Sequence, residues 1–293
     1  MSGADGRRSP WERSRALAAF TWLYVLWSLV PVAIAVAFSF NDGRSRSTWQ
    51  GFSTRWWSGG EGSLFQSDDL RRAMVNSLVL AAVTIAVATP LGVALAIGLS
   101  RWRSRLADGA NIVMLVPLVT PEIVLGASFF IVFTQLYTAV DLGRPAQVLG
   151  HITFTLSFVV VIVRGRLFSI GRQYEEAAAD LGASPFVALT RVLLPLLTPA
   201  IVASAAVVFA ISADDFVISQ WLSSGGGTDT VPIQIYAATR AAPLPSVNAI
   251  ATIMMLSTLL IVTVGFLLWR LFTRGERRMG KAAEDIGGAF NLT

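Results

Sequence analysis

Residues 176–195 read EAAADLGASPFVALTRVLLP, a stretch rich in small and polar residues between two apolar runs. Glu176-Ala177-Ala178 is followed by three residues, then Gly182, then nine residues, then Val192-Leu193-Leu194-Pro195. Tyr174 to Leu181 is predicted to form about two helical turns. Glu175 and Glu176 stand near its N-terminus, where negative charge suits the helix dipole, and Ala177, Ala178 and Ala179 favour helix without adding bulk. Gly182 permits a change of direction that a residue with a Cβ resists. Ser184-Pro185 then reads as an N-cap followed by proline at the first helical position, so Phe186 to Val192 is predicted as a second short helix. Pro195 marks the start of the next apolar run. The expected product is a helix–turn–helix elbow that presents a small-residue knob with acidic flanks.

Such an elbow could lie on lipid headgroups or receive another protein. Small side chains let a partner surface approach the backbone closely. Anionic headgroups repel carboxylates, so Glu175 and Glu176 favour the protein contact.

The surroundings of the elbow are membrane-like. Apolar residues make up 54% of the 293 residues and charged residues 14%, against about 25% charged in a soluble domain. Six apolar runs are long enough to cross a hydrocarbon core of about 30 Å as helices. They fall near 17–39, 75–99, 110–137, 147–165, 198–222 and 247–272. The fourth, interrupted by Thr153, Thr155 and Ser157, is needed to keep the loop charges on consistent sides. The expected fold class is therefore all-α and integral to the membrane, with six transmembrane helices.

Orientation follows from the 23 basic residues. Sixteen fall on one side: Arg7, Arg8, Arg13, Arg15, Arg101, Arg103, Arg105, Arg164, Arg166, Arg172, Arg191, Arg270, Arg274, Arg277, Arg278 and Lys281. The other seven are Arg44, Arg46, Arg55, Arg71, Arg72, Arg144 and Arg240. The positive-inside rule then places both termini and the elbow in the cytoplasm. The basic balance reflects topology and contact with anionic lipid, and nucleic-acid binding is not needed to explain it.

Residues 1–16 read as a cytoplasmic N-terminal tail, 17–274 as one membrane domain containing the cytoplasmic loop 166–195, and 275–293 as a second cytoplasmic tail. The first apolar run, about 22 residues, exceeds the 7–15 of a signal h-region and reads as an uncleaved span. The external loop after it contains Trp49, Trp56 and Trp57, suited to the membrane interface, and Gly59, Gly60 and Gly62, which make part of it irregular. No internal repeat is visible, so an inverted-repeat transporter is unsupported.

Chemistry-bearing residues are sparse. There are no cysteines and a single histidine. His151 alone makes no metal site and reads as an ordinary residue near a helix end at the water boundary. Gly275 to Ala282 (GERRMGKA) approaches a phosphate-binding P-loop but has Ala282 where Ser or Thr must hold Mg²⁺, and no strand precedes it. No nucleophile–base pair or metal cluster supports a membrane-embedded enzyme.

Glu122, Asp214 and Asp215 lie inside apolar runs, where a carboxylate costs several kcal/mol unless it faces water or a partner. They either line a water-filled path that attracts a cationic solute or hold fixed partners, such as helix-end backbone groups. Neighbours on a helix point about 100° apart, so Asp214 and Asp215 cannot both face one way. Pro90, Gly92, Pro117, Pro121 and Gly126 are either hinges or packing kinks.

The spacing of Glu176, Ala177, Ala178, Gly182, Val192, Leu194 and Pro195 resembles the signature of the permease subunits of binding-protein-dependent ABC importers, of the MetI-like fold. Asn76-Ser77-Leu78, PLVTPEIVLG over 117–126, Ser212 to Phe216, Ile235-Tyr236 and Ser246 to Ala249 are similar to the subgroup that includes C-type spermidine/putrescine permeases. This likeness runs from about residue 15 to 275 and implies a polyamine as solute.

The resemblance implies that 17–274 is an ABC transmembrane type-1 domain of the bacterial inner membrane. It implies that the elbow docks into a cytoplasmic ATPase dimer through Glu175, Glu176, Ala177, Ala178, Asp180, Gly182, Ala183 and Pro195. Further implied partners are a second permease subunit, forming a heterodimer, and a periplasmic or extracellular solute-binding protein. ATP and Mg²⁺ belong to the ATPase, and this chain binds no cofactor. An ion-coupled secondary transporter or channel is the competing class, and it leaves the elbow unexplained.

Overall fold

The computed structural model describes residues 15–45, 47–60, 62–101, 104–240 and 245–290, and their side chains except those of 268, 269 and 271–290. Most of the N-terminal tail, Arg46 and Arg103 therefore lie outside the described residues, as do the side chains of Arg274, Arg277, Arg278 and Lys281.

The helices are α1 (Arg15–Phe38), α2 (Asp68–Arg101), α3 (Arg105–Val119), α4 (Glu122–Ile131), α5 (Arg144–Ile170) and α6 (Gln173–Asp180). There follow α7 (Pro185–Ala188), α8 (Leu194–Asp214), α9 (Val217–Leu222), α10 (Val231–Arg240) and α11 (Ser246–Phe290). Asp68 and Asp69 open α2 and Arg101 closes it, matching the dipole at both ends. Ser104 caps α3 by accepting from the Ala107 N–H at 3.2 Å.

Five stretches are long and apolar enough to cross a membrane: α1, α2, α5, Pro185–Asp214 and Ser246–Leu267. The sixth is α3 with α4 and its π-helical extension, bent by 109°. The kink expected from Pro121 in the run 110–137 is thus a full break, with Glu122 at the start of a new helix. Thr120 is extended (ψ 130°), and Pro121 lacks the N–H needed to continue the helix.

The fifth span is corrected at both ends. It does not run to residue 222 but stops at Asp214, where Asp215 is extended (ψ 122°), and α9 restarts at Val217. At its start, the expected short helix Phe186–Val192 is not separate. α7 passes through a π turn, Leu189–Leu193, into α8, and the Leu194 N–H bonds to the Leu189 carbonyl. Pro195 accounts for the wider turn, because its ring would clash with the Arg191 carbonyl in regular helix. Beyond the sixth span, the backbone of α11 continues helical through the C-terminal tail to Phe290.

α2, α5 and α8 pack together as the centre of the bundle. In lipid, burial of apolar surface does not drive helices together; close backbone approach and dispersion do. Ala88, Gly92 and Ala96 recur every four residues on α2 and all are buried, Ala96 in one cluster with Val159, Val160 and Val163 of α5. A Cβ on Gly92 would stand 2.6 Å from Val159. Likewise α4 packs on α9, where a Cβ on Gly126 would meet Trp221 at 2.6 Å. Both glycines are packing positions rather than hinges.

The loop between α1 and α2 is folded. Asn41 Oδ1 accepts from the Gln50 N–H at 2.8 Å, and Trp56 Nε1 donates to the Asn41 carbonyl at 2.7 Å. Trp56 is 1% exposed. It is a core residue of the loop, not the interfacial anchor expected from sequence, while Trp49 remains half exposed. At the same end of the bundle, Asn76 Nδ2 donates to the carbonyls of Gly227 and Asp229, and Ser77 Oγ accepts from the Val231 N–H. These bonds pin the loop between α9 and α10 to α2.

Candidate coupling surface and translocation cavity

The elbow forms as its sequence predicts over its first half. α6 ends in a Schellman arrangement: the Ala183 N–H donates to the Ala178 carbonyl and the Gly182 N–H to that of Ala179, both at 2.9 Å. Gly182 takes φ +82°, and a Cβ there would meet nothing within 4 Å. Its glycine is required by backbone conformation and not by crowding. Ser184 then caps the next helix by accepting from Val187, with Pro185 in its first turn.

Glu176, Ala177 and Asp180 are exposed, and Ala178 and Ala183 are half-buried. Large apolar side chains surround them: Leu181 is 89% exposed and Phe186 72%. In water such a patch calls for a cover. Two predicted residues stand apart from it. Pro195 lies beyond the π turn and shapes the helix rather than the knob. Glu175 is turned inward, paired with Arg101 at the end of α2, so only Glu176 and Asp180 remain as the exposed acidic flank. Arg172 Nη2 adds a bond to the Ser100 carbonyl at 3.4 Å. Arg101 entered the sequence reading only as a topology marker, because nothing local links residues so far apart.

The intramembrane carboxylates meet where the two broken spans face each other. Glu122 is the first residue of α4, Asp214 the last of α8, and Asp215 precedes α9. All three border a cavity of about 450 Å³ that also includes Phe216. The two side chains Glu122 and Asp214 are exposed. Asp215 is in the wall, but its side chain is 3% exposed and faces away. It accepts from the Ser219 N–H at 2.8 Å and the Ile218 N–H at 3.4 Å, capping α9.

Its other neighbour is His151, whose Nε2 lies 3.3 Å from the Asp215 carboxylate. His151 is 2% exposed and sits well inside α5, which corrects its reading as a residue at a helix end by the water boundary. A single histidine in an apolar run gives no sequence signal of this partnership, since Asp215 is 64 positions away.

Asp214 also borders a second, largely apolar cavity of about 510 Å³ between α8, α10 and α11, lined by Pro232, Ile235, Met254 and Met255 among others. Phe216 stacks near Tyr236, with ring centroids 4.7 Å apart. The arrangement offers carboxylates, aromatic faces and an apolar trough side by side, and could hold an elongated cation with methylene segments. Among the described residues no cluster of His, Cys, Asp or Glu could hold a metal.

A protein family described as the inner membrane component of binding-protein-dependent transport systems matches residues 88–278. The chain belongs to that family: it is a permease component of an importer. Among similar relatives is the putrescine transport system permease protein PotI of Escherichia coli (strain K12), 34% identical over 276 residues, which are 92% of this chain and 94% of the relative. The spermidine/putrescine transport system permease protein PotC of the same strain is 35% identical over 259 residues, 88% of this chain and 94% of that one.

Solved structures share the fold. A bacterial ABC transporter involved in alginate import superposes with TM-score 0.70 at 17% identity, over 87% of this chain and 95% of that one. The MetNI methionine ABC transporter, in inward-facing conformations, gives 0.54 at 18% identity, over 70% and 94%. The chain is thus a multi-pass inner-membrane permease subunit that works with a binding protein and with a separate ATPase subunit.

Proposed function

We propose that this permease passes a polyamine of the putrescine or spermidine kind, and that the pairing of Glu122 with Asp214 on one cavity carries that reading. A diamine needs anionic or aromatic contacts for its ammonium groups and an apolar wall for its methylenes. The two carboxylates, Phe216 and the adjoining apolar trough meet those needs. Relatives whose names carry putrescine and spermidine support the same solute class.

The knob from Glu176 to Ala183, with Leu181 and Phe186, is the surface that docks on the ATPase and receives the work of its ATP cycle. ATP and Mg²⁺ are held by that partner, and this chain binds no cofactor. Both termini lie in the cytoplasm, on the side of the basic majority. The second permease is a different chain, so the pair is a heterodimer. α1 favours such a neighbour, because none of its residues is buried within this chain.

Reconstitution in liposomes tests the reading. Uptake of radiolabelled putrescine should require the ATPase, the binding protein, the second permease and ATP. Uptake by this chain alone under an ion gradient, or failure of any polyamine to compete, would overturn it.

A further inference from the structure

His151 contacts both sides of the break in the fifth span. Its Nδ1 lies 2.8 Å from Ser212 Oγ, two residues before the end of α8. Its Nε2 lies 3.0 Å from Ser219 Oγ, inside α9, and 3.3 Å from the Asp215 carboxylate that caps α9. All four residues are buried. An ionised carboxylate this deep is costly without a partner, and His151 together with two backbone N–H groups supplies one. Asp214, the adjacent residue, is exposed on the cavity.

We infer that His151 is a positioning residue for translocation, clamping the α8–α9 break so that Asp215 is withheld from the cavity and Asp214 alone presents the charge of this span. With the clamp in place the break keeps one angle, because α8 and α9 are both tied to the rigid α5. The solute then meets two carboxylates, Glu122 and Asp214, instead of three. The Asp-Asp sequence is thereby divided into a structural residue and a path residue. The assignment rests on the cavity being the solute path, although its geometric half does not.

The test uses the complete importer in proteoliposomes. Because the chain has no cysteine, single reporters in it can be followed once any partner thiols are blocked. Asp214→Cys should react with a small cationic methanethiosulfonate about tenfold faster than Asp215→Cys, the buried position being shielded from water. His151→Phe should lower the maximal uptake rate about tenfold or more per assembled complex, because the buried Asp215 carboxylate loses its side-chain partner. Adding Asp215→Asn to His151→Phe should restore most of the rate, since the neutral amide carries no buried charge and its oxygen can still accept from the α9 backbone.

If His151→Phe prevents assembly, His151→Gln serves in its place, retaining a donor and an acceptor. Equal thiol reactivity at 214 and 215 overturns the clamp. Unrescued loss in the double variant at equal assembly overturns it too, because it reduces His151 to a packing residue. Protection at 215 combined with normal uptake by His151→Phe overturns the positioning role, whereas the cavity as solute path falls only if Glu122→Gln and Asp214→Asn leave uptake unchanged.

Discussion

Arg101 and Glu175, 74 residues apart in sequence, form an ion pair that joins the end of the second span to α6. The pair is partly exposed, so it is worth about 1 kcal/mol or less in stability. We propose that its value is directional: a push on α6 would reach α2 and, through Gly92 and Val159, the centre of the bundle. Arg101→Glu and Glu175→Arg should each lower binding-protein-stimulated ATPase activity a few-fold, and the charge swap should recover it. Equal activity in both single variants and the wild type would remove the link from the coupling route.

At the knob, conformation and contact separate. Gly182→Val should cost about 1–2 kcal/mol by forcing a β-branched residue into a left-handed conformation, and Gly182→Asn clearly less. Ala177→Trp adds bulk on an exposed face and should block ATPase binding while the permease still inserts. Co-purification of the ATPase with each variant, against membrane expression, reads both effects.

Neutralising the cavity should act on the solute. Glu122→Gln and Asp214→Asn should each raise the KM for a diamine about tenfold, as loss of one charge contact to the bound cation does. Complex recovery should stay unchanged. Uptake assays over a concentration series distinguish this from a fall in maximal rate.

Gly92→Leu should destabilise the bundle by about 1–3 kcal/mol or more, since its Cβ alone would stand 2.6 Å from Val159. Thermal unfolding of the detergent-solubilised complex measures the loss. A neutral effect would return Gly92 to the role of hinge.

Asn76→Ala should release the external loop 223–230. It removes the donor to the Gly227 and Asp229 carbonyls and the acceptor for Arg144, a loss of about 1–3 kcal/mol. Faster cleavage of that loop by external protease, with spans intact, is the expected readout.

Much of the fold was legible because membrane helices declare themselves by length and apolarity. The elbow was legible because Gly182, Ser184 and Pro185 act locally: each sets backbone geometry for its own turn. The breaks were only half legible. Pro121 announced a kink without an angle, and nothing local announced that the helix stops at Asp214, since Asp and Phe are compatible with continuing it. The placement of Glu175 and Trp56 differs from the sequence expectation for one reason. Each looked like a surface residue by type, and each is turned inward by a partner distant in sequence.

The stretch from Glu176 to Pro195 determined by itself the shape of the elbow, because helix propensity, a positive-φ glycine and an N-cap are local physics; membership of a permease family rested on the resemblance of its spacing. Tertiary structure alone decided what the charges do. Whether a carboxylate inside a membrane lines a path or caps a helix depends on what stands opposite. His151 stands opposite Asp215, Arg101 opposite Glu175, and a cavity opposite Glu122 and Asp214.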